Sequence, residues 1–136
     1  MSPEELSAWE KLLQDPERRT EAARVLAHEH RLRPGDGSRE KLAVALEVLA
    51  IVTRDPKEEA RILAELGRVR LAMGDGEQAA LALARALYLV PDDDSILGGL
   101  RDSKDRTLAA EVLEDLATDA PKAALAAIQA ELAALK

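Results

Sequence analysis

Two Gly-Asp-Gly triplets, Gly35-Asp36-Gly37 and Gly74-Asp75-Gly76, stand 39 residues apart, and each precedes an amphipathic run that a proline ends, Pro56 or Pro91. Glycine supplies the positive φ that a tight connection between elements requires. Recurrence of such a turn at this period marks stacked helical hairpins, because one hairpin cannot bury its apolar face alone. The copies are unequal: Gly37 to Pro56 spans 19 residues and Gly76 to Pro91 spans 15. Four residues is close to one helical turn, so the first copy can be longer without rotating its apolar stripe.

The side chains available narrow the fold class. At 47% apolar residues a chain of 136 can build one core, and a single domain over residues 1–136 is expected. Alanine and leucine dominate, phenylalanine is absent, and Trp9 and Tyr88 are the only large aromatics. Small and γ-branched side chains suit close-packed helices, whereas a sheet favours β-branched and aromatic ones. The expectation is an all-α fold of about eight helices in antiparallel hairpins.

Punctuation places those helices. Pro3 opens the first, with Leu6, Trp9 and Leu13 on one stripe. Asp15 then caps a second that starts at Pro16 and runs to about Leu32. Ser38 is the expected cap of a third, in which Leu42, Leu46 and Leu49 recur at helical spacing. Asp55-Pro56 repeats the cap-and-proline device for a fourth, from Pro56 to about Met73. On it Arg61, Glu65, Arg68 and Ala72 gather within about 60° of arc, while the other sides are apolar except at Arg70. A fifth runs from Glu77 to Val90 with Gln78 and Arg85 on a thin polar strip. A short segment ends near Gly98-Gly99. A seventh carries Leu108, Val112, Leu113 and Leu116, and the last, from Ala120-Pro121, carries Leu125, Ile128, Leu132 and Leu135.

Charge and composition exclude several function classes. A net charge of −7, from 26 acidic and 19 basic residues, argues against a nucleic-acid footprint. No apolar run approaches the roughly 20 residues needed to cross a bilayer, and the N-terminus lacks signal-peptide order, so a cytoplasmic location is expected. Absence of cysteine removes disulfides and thiolate chemistry. Thirteen arginines against six lysines, with the alanine load, suggest the coding of a GC-rich bacterial genome.

No catalytic or metal constellation is expected. His28 and His30 lie two apart on a helix and point about 200° away from each other, so they cannot share one ion. Asp92, Asp93 and Asp94 match no calcium loop and read as groups satisfying free helix N-terminal amides. No lysine-serine or lysine-threonine pair follows either glycine triplet, which removes a phosphate cradle. Serines are few and none has nucleophile-elbow spacing. The chain therefore reads as non-enzymatic and without cofactor.

Residues 60 to 93 resemble the tetratricopeptide repeat family. They carry Leu63, Leu66 and Gly67 in the first helix, Gly74-Asp75 in the turn, Ala79, Leu83 and Ala86 in the second helix, and Pro91 at the close. Residues 17 to 56 resemble a divergent unit that keeps Ala27, Leu32, Gly35-Asp36 and Pro56, with His28 in the place of Gly67. Residues 94 to 136 resemble a degenerate repeat followed by a terminal helix. The best copy spans 57–93, and Arg70 stands where the family usually has a tyrosine.

This resemblance implies a short right-handed solenoid whose first helices line a concave groove for a peptide or protein segment. Carried over by residue, the groove face would be Arg61, Ala64, Glu65, Arg68 and Ala72, with Ala22, Leu26, Glu29 and Arg33 opposite once the two Gly-Asp-Gly turns are matched. Members that clamp a C-terminal carboxylate use asparagine, which this chain lacks. Two alternatives stand beside a protein-binding scaffold: homo-oligomerisation through the apolar stripes of the terminal helices, or a regulatory segment of a larger signalling protein or enzyme.

Overall fold

The computed structural model describes residues 1–33, 35–91, 93–103 and 106–135. Among them there are eight α-helices and no strand: α1 Pro3–Leu12, α2 Arg19–Arg31, α3 Asp36–Val52, α4 Pro56–Ala72, α5 Gly76–Leu89, α6 Asp94–Asp102, α7 Arg106–Asp119 and α8 Lys122–Leu135. Successive helices pack on one another in a repeat-like array, with the α4–α5 hairpin the most extensively paired.

Local chemistry accounts for most of the boundaries. Ser2 caps α1, accepting from the Glu5 amide at 3.2 Å and donating to the Glu5 carboxylate at 3.1 Å. Asp55 accepts from the Lys57 amide at 3.3 Å with Pro56 in the first turn, as its sequence predicts. Asp75 accepts from Gln78 at 3.1 Å and Asp93 from Ile96 at 3.2 Å, each relieving a helix-end donor. Asp92 and the side chains of Asp36 and Asp94 lie outside the described residues.

Three boundaries differ from expectation. Asp15 does accept from the Glu17 amide at 2.9 Å, but residues 16–18 form a turn and α2 begins at Arg19. Ser38 is not a cap: α3 begins at Asp36 with Gly35 at the cap position, where φ is 110° and no side chain caps. Helix α6 does not stop at its glycines; it runs through Gly98 and Gly99 to Asp102.

The two Gly-Asp-Gly triplets are not equivalent in detail. Gly74, at φ 80°, closes α4 in a Schellman arrangement: the Asp75 amide donates to the Arg70 carbonyl at 3.0 Å and the Gly74 amide to Leu71 at 3.0 Å. Gly76 is small for another reason, since a Cβ there would meet the Ser103 backbone oxygen at 2.6 Å.

Burial sets the true register of the repeat. Ala23, Leu26, Ala27 and His30 of α2 are buried where Ala60, Leu63, Ala64 and Gly67 of α4 are buried, 37 residues on. The same offset carries Leu42, Ala43, Ala45, Leu46, Leu49 and Ala50 of α3 onto Ala79, Ala80, Ala82, Leu83, Ala86 and Leu87 of α5. It also aligns the exposed Val44 with Leu81 and Ile51 with Tyr88. The burial patterns of the two hairpins therefore coincide at an offset of 37 residues, two fewer than the turns, and His30 rather than His28 takes the place of Gly67. In the last third α6 has only 9 residues, and it contacts α5 and α8 more than its sequence neighbour α7.

The apolar stripes of the terminal helices face inward. Leu6 and Ile128 are buried, and Trp9, Leu13, Leu132 and Leu135 pack against the common core. Among the described residues the exposed large apolar side chains within helices lie instead on α3 and α5, at Val44, Ile51, Leu81 and Tyr88, with Met1 and Leu32 exposed outside the helices. Among the described residues no helix is long and apolar enough to cross a membrane.

Candidate partner-binding groove

Helix α4 turns three of its sides to neighbours and one to a groove. Among the described residues no backbone contact joins α2 to α4, so the two first helices of successive hairpins stand apart and leave a cleft. What spans it is a bidentate ion pair: Arg31 of α2 donates from Nε to Glu65 of α4 at 2.6 Å and from its terminal nitrogen at 2.8 Å. The hydrogen bonds it donates to Glu65 hold the Arg31 guanidinium above its ordinary pKa.

That ion pair divides the cleft. On one side a space of about 340 Å³ is walled by Arg24, Ala27 and Arg31 of α2 and by Glu58, Arg61, Ile62 and Glu65 of α4. On the other, about 340 Å³ is walled by Arg31, Arg33, Arg39, Glu65, Arg68 and Ala72, among others. Between α4 and α6 lies a further cleft of about 480 Å³ that includes Lys57, Arg61, Ala64, Arg68, Ser95 and Ile96. Arg61 and Arg68 thus face clefts on both flanks of α4.

Each residue expected on the groove has a definite place. Arg61, Glu65, Arg68 and Ala72 line the clefts, with Arg61, Arg68 and Ala72 exposed and Glu65 half-buried. Ala64 is 6% exposed and forms groove floor beneath Arg61 and Arg68. Opposite, Arg33 lines the second cleft and pairs with Glu29 at 3.9 Å. Ala22 and Leu26 are not on this face: Ala22 is fully buried, and Leu26, 2% exposed, borders a different cavity between α1, α2 and α3.

The misplacement has one cause. Matching turns set α2 two residues out of register with α4, and two residues on a helix is a rotation of about 200° that carries core positions onto the surface. At the packing offset of 37, the partners of Arg61 and Arg68 are Arg24 and Arg31, and both line the groove. Sequence reasoning missed these two arginines. Comparing the helices' own apolar patterns, instead of the turns, would have found them.

On the opposite side Glu47 of α3 lies 3.7 Å from Arg70 of α4 and 3.5 Å from Arg85 of α5. This three-helix knot gives Arg70 a structural partner away from the groove. Tyr88 hydrogen-bonds Asp115, tying α5 to α7.

The histidines separate as their spacing requires, with His28 exposed and His30 4% exposed. Neither ring nitrogen of His30 has a hydrogen-bond partner. Burial, reinforced by the Lys41 charge, lowers its pKa from the usual histidine value of 6.5. The fold thus disfavours the imidazolium, and the unfolded chain takes up the proton first as pH falls. Stability contributed by neutral His30 is complete above about pH 6.5 and declines below it, by at most about 1.4 kcal/mol per pH unit. Urea melts at pH 7.5 and 5.8 are expected to show this loss in the native chain and a smaller loss in His30→Leu; equal pH dependence in both would contradict it.

Comparison with family profiles, with curated proteins and with solved structures finds no match to this chain.

Proposed function

We propose that this chain is a non-enzymatic helical-repeat scaffold, tetratricopeptide-like in organisation, that holds a segment of a protein partner in the groove formed by α2, α4 and α6. The observation that carries the reading is the position of the α4 polar strip. Arg61, Glu65 and Arg68 lie between clefts on both flanks of the most enclosed hairpin, where two helices leave room for a chain to lie. A strip that was merely solvated would need no flanking walls.

Rigid helices on either side favour recognition of a preformed surface with little rearrangement. The reading is tested by placing a photo-cross-linking residue at position 61 or 68, and in controls at 51 or 81, in the intact chain within native lysate. Adducts to one partner segment are expected from 61 and 68, mapped by mass spectrometry. Adducts confined to 51 and 81 would move the interface to the opposite face and defeat the proposal.

A further inference from the structure

We infer that the segment held between α2 and α4 is acidic, with carboxylate side chains read by a ladder of arginines. The inference rests on the groove reading above and names the chemistry of its partner. The chain as a whole carries −7, yet six arginines and only two glutamates line the two clefts between α2 and α4. The positive charge is local, and it opposes the sign of the protein.

Four of those arginines are placed by the repeat itself. Arg24 and Arg31 on α2 correspond to Arg61 and Arg68 on α4 at the packing offset, and within each helix the pair is seven residues apart. Seven residues is two turns, a rise of about 10.5 Å. A segment in the polyproline II conformation advances about 3.1 Å per residue and returns to the same face every third residue, so acidic residues three apart would match that spacing.

The groove already displays the chemistry it selects. Arg31 holds the Glu65 carboxylate by both edges, and Arg61 holds Glu58 at 3.0 Å. Among the described residues Arg24 and Arg68 make no ion pair, and each is exposed beside one of those occupied forks. The planar guanidinium fork matches a carboxylate in two parallel hydrogen bonds, which a lysine cannot do.

Nucleic acid, the other polyanion, fits less well. Single strands need aromatic faces on which bases stack, and Trp9 and Tyr88 both lie outside the groove walls. The negative remainder of the protein also repels a long polyanion, whereas a short acidic segment meets only the local field.

The test is fluorescence polarisation with a labelled twelve-residue peptide carrying glutamate at every third position among serines, against the same peptide with glutamine and against oligouridine. At low ionic strength the glutamate peptide is expected to bind at least tenfold more tightly than the other two and to weaken as salt is added. Arg24→Glu with Arg68→Glu should remove that preference while the circular dichroism spectrum is unchanged. Equal binding of the glutamate and glutamine peptides, tighter binding of oligouridine, or full affinity in the double variant would each overturn the inference. Equal peptide binding together with adducts at position 68 would overturn only the acidic preference; adducts confined to positions 51 and 81 would overturn the groove itself.

Discussion

Replacing Gly67 with valine is expected to destabilise the protein by about 3 kcal/mol. At this chain length that corresponds to a drop of roughly 10 °C in melting temperature. A Cβ at position 67 would stand 2.7 Å from Leu83 Cγ and 2.8 Å from Leu83 Cδ2. Leu83 cannot give way easily. It is 2% exposed, and on its far side a Cβ on Gly99 of α6 would already touch it at 3.4 Å.

Two glycines on different helices thus make the slot that seats one leucine of α5, and this is where α4 and α5 approach. Valine adds branched volume at the tight side of the slot and recovers only a few tenths of a kcal/mol of helix propensity. Gly98, one residue before Gly99, is the control: a Cβ there meets nothing within 4 Å. Gly98→Ala is expected to stabilise by up to about 1 kcal/mol. Thermal melts of both variants check the pair, and a Gly67→Val protein as stable as the native chain would refute the slot.

The helices were legible because their signals are local. Proline after aspartate, the recurrent leucines and the absence of phenylalanine all act within one element, and the Asp55-Pro56 start of α4 follows from two residues. Register between hairpins was harder. The Gly-Asp-Gly turns are surface devices, free to shift along the chain while packing stays fixed. In the first hairpin α2 has 13 residues where α4 has 17, so its turn comes early relative to the packed face. The alanines at 23 and 27, matching those at 60 and 64, hold the true frame because their small volume is what lets helices cross closely.

The site was half legible for the same reason. Arg61, Glu65 and Arg68 emerged from α4 alone, since a polar strip on an otherwise apolar helix is visible in one element. Arg24 and Arg31 depend on a frame shared between two helices, and an error of two residues replaced them with Ala22, a core residue, and Glu29. The Arg31–Glu65 pair joins residues 34 apart and needs the tertiary structure to be seen. His30 is a third case: it falls three residues after Ala27 and seven after Ala23 on the buried stripe of α2, whereas His28 does not, and it occupies the position that corresponds to Gly67.

Arg61 and Arg68 decide the functional account. Both are exposed, neither supports the core, and reversing their charge leaves the buried faces of α4 untouched. Arg61→Glu breaks only the exposed pair with Glu58, which contributes at most about 1 kcal/mol. Stability should therefore change little. Binding should change greatly, because two cations between the clefts become two anions facing Glu58 and Glu65, and removal of even one partner from a desolvated charge pair costs about 2–5 kcal/mol.

The most direct measurement is capture of the partner by the intact Arg61→Glu/Arg68→Glu chain beside the native chain, with helicity followed by circular dichroism. Loss of capture by at least a hundredfold at unchanged helicity is the predicted result. Capture that survives the double reversal would contradict the groove as the binding surface.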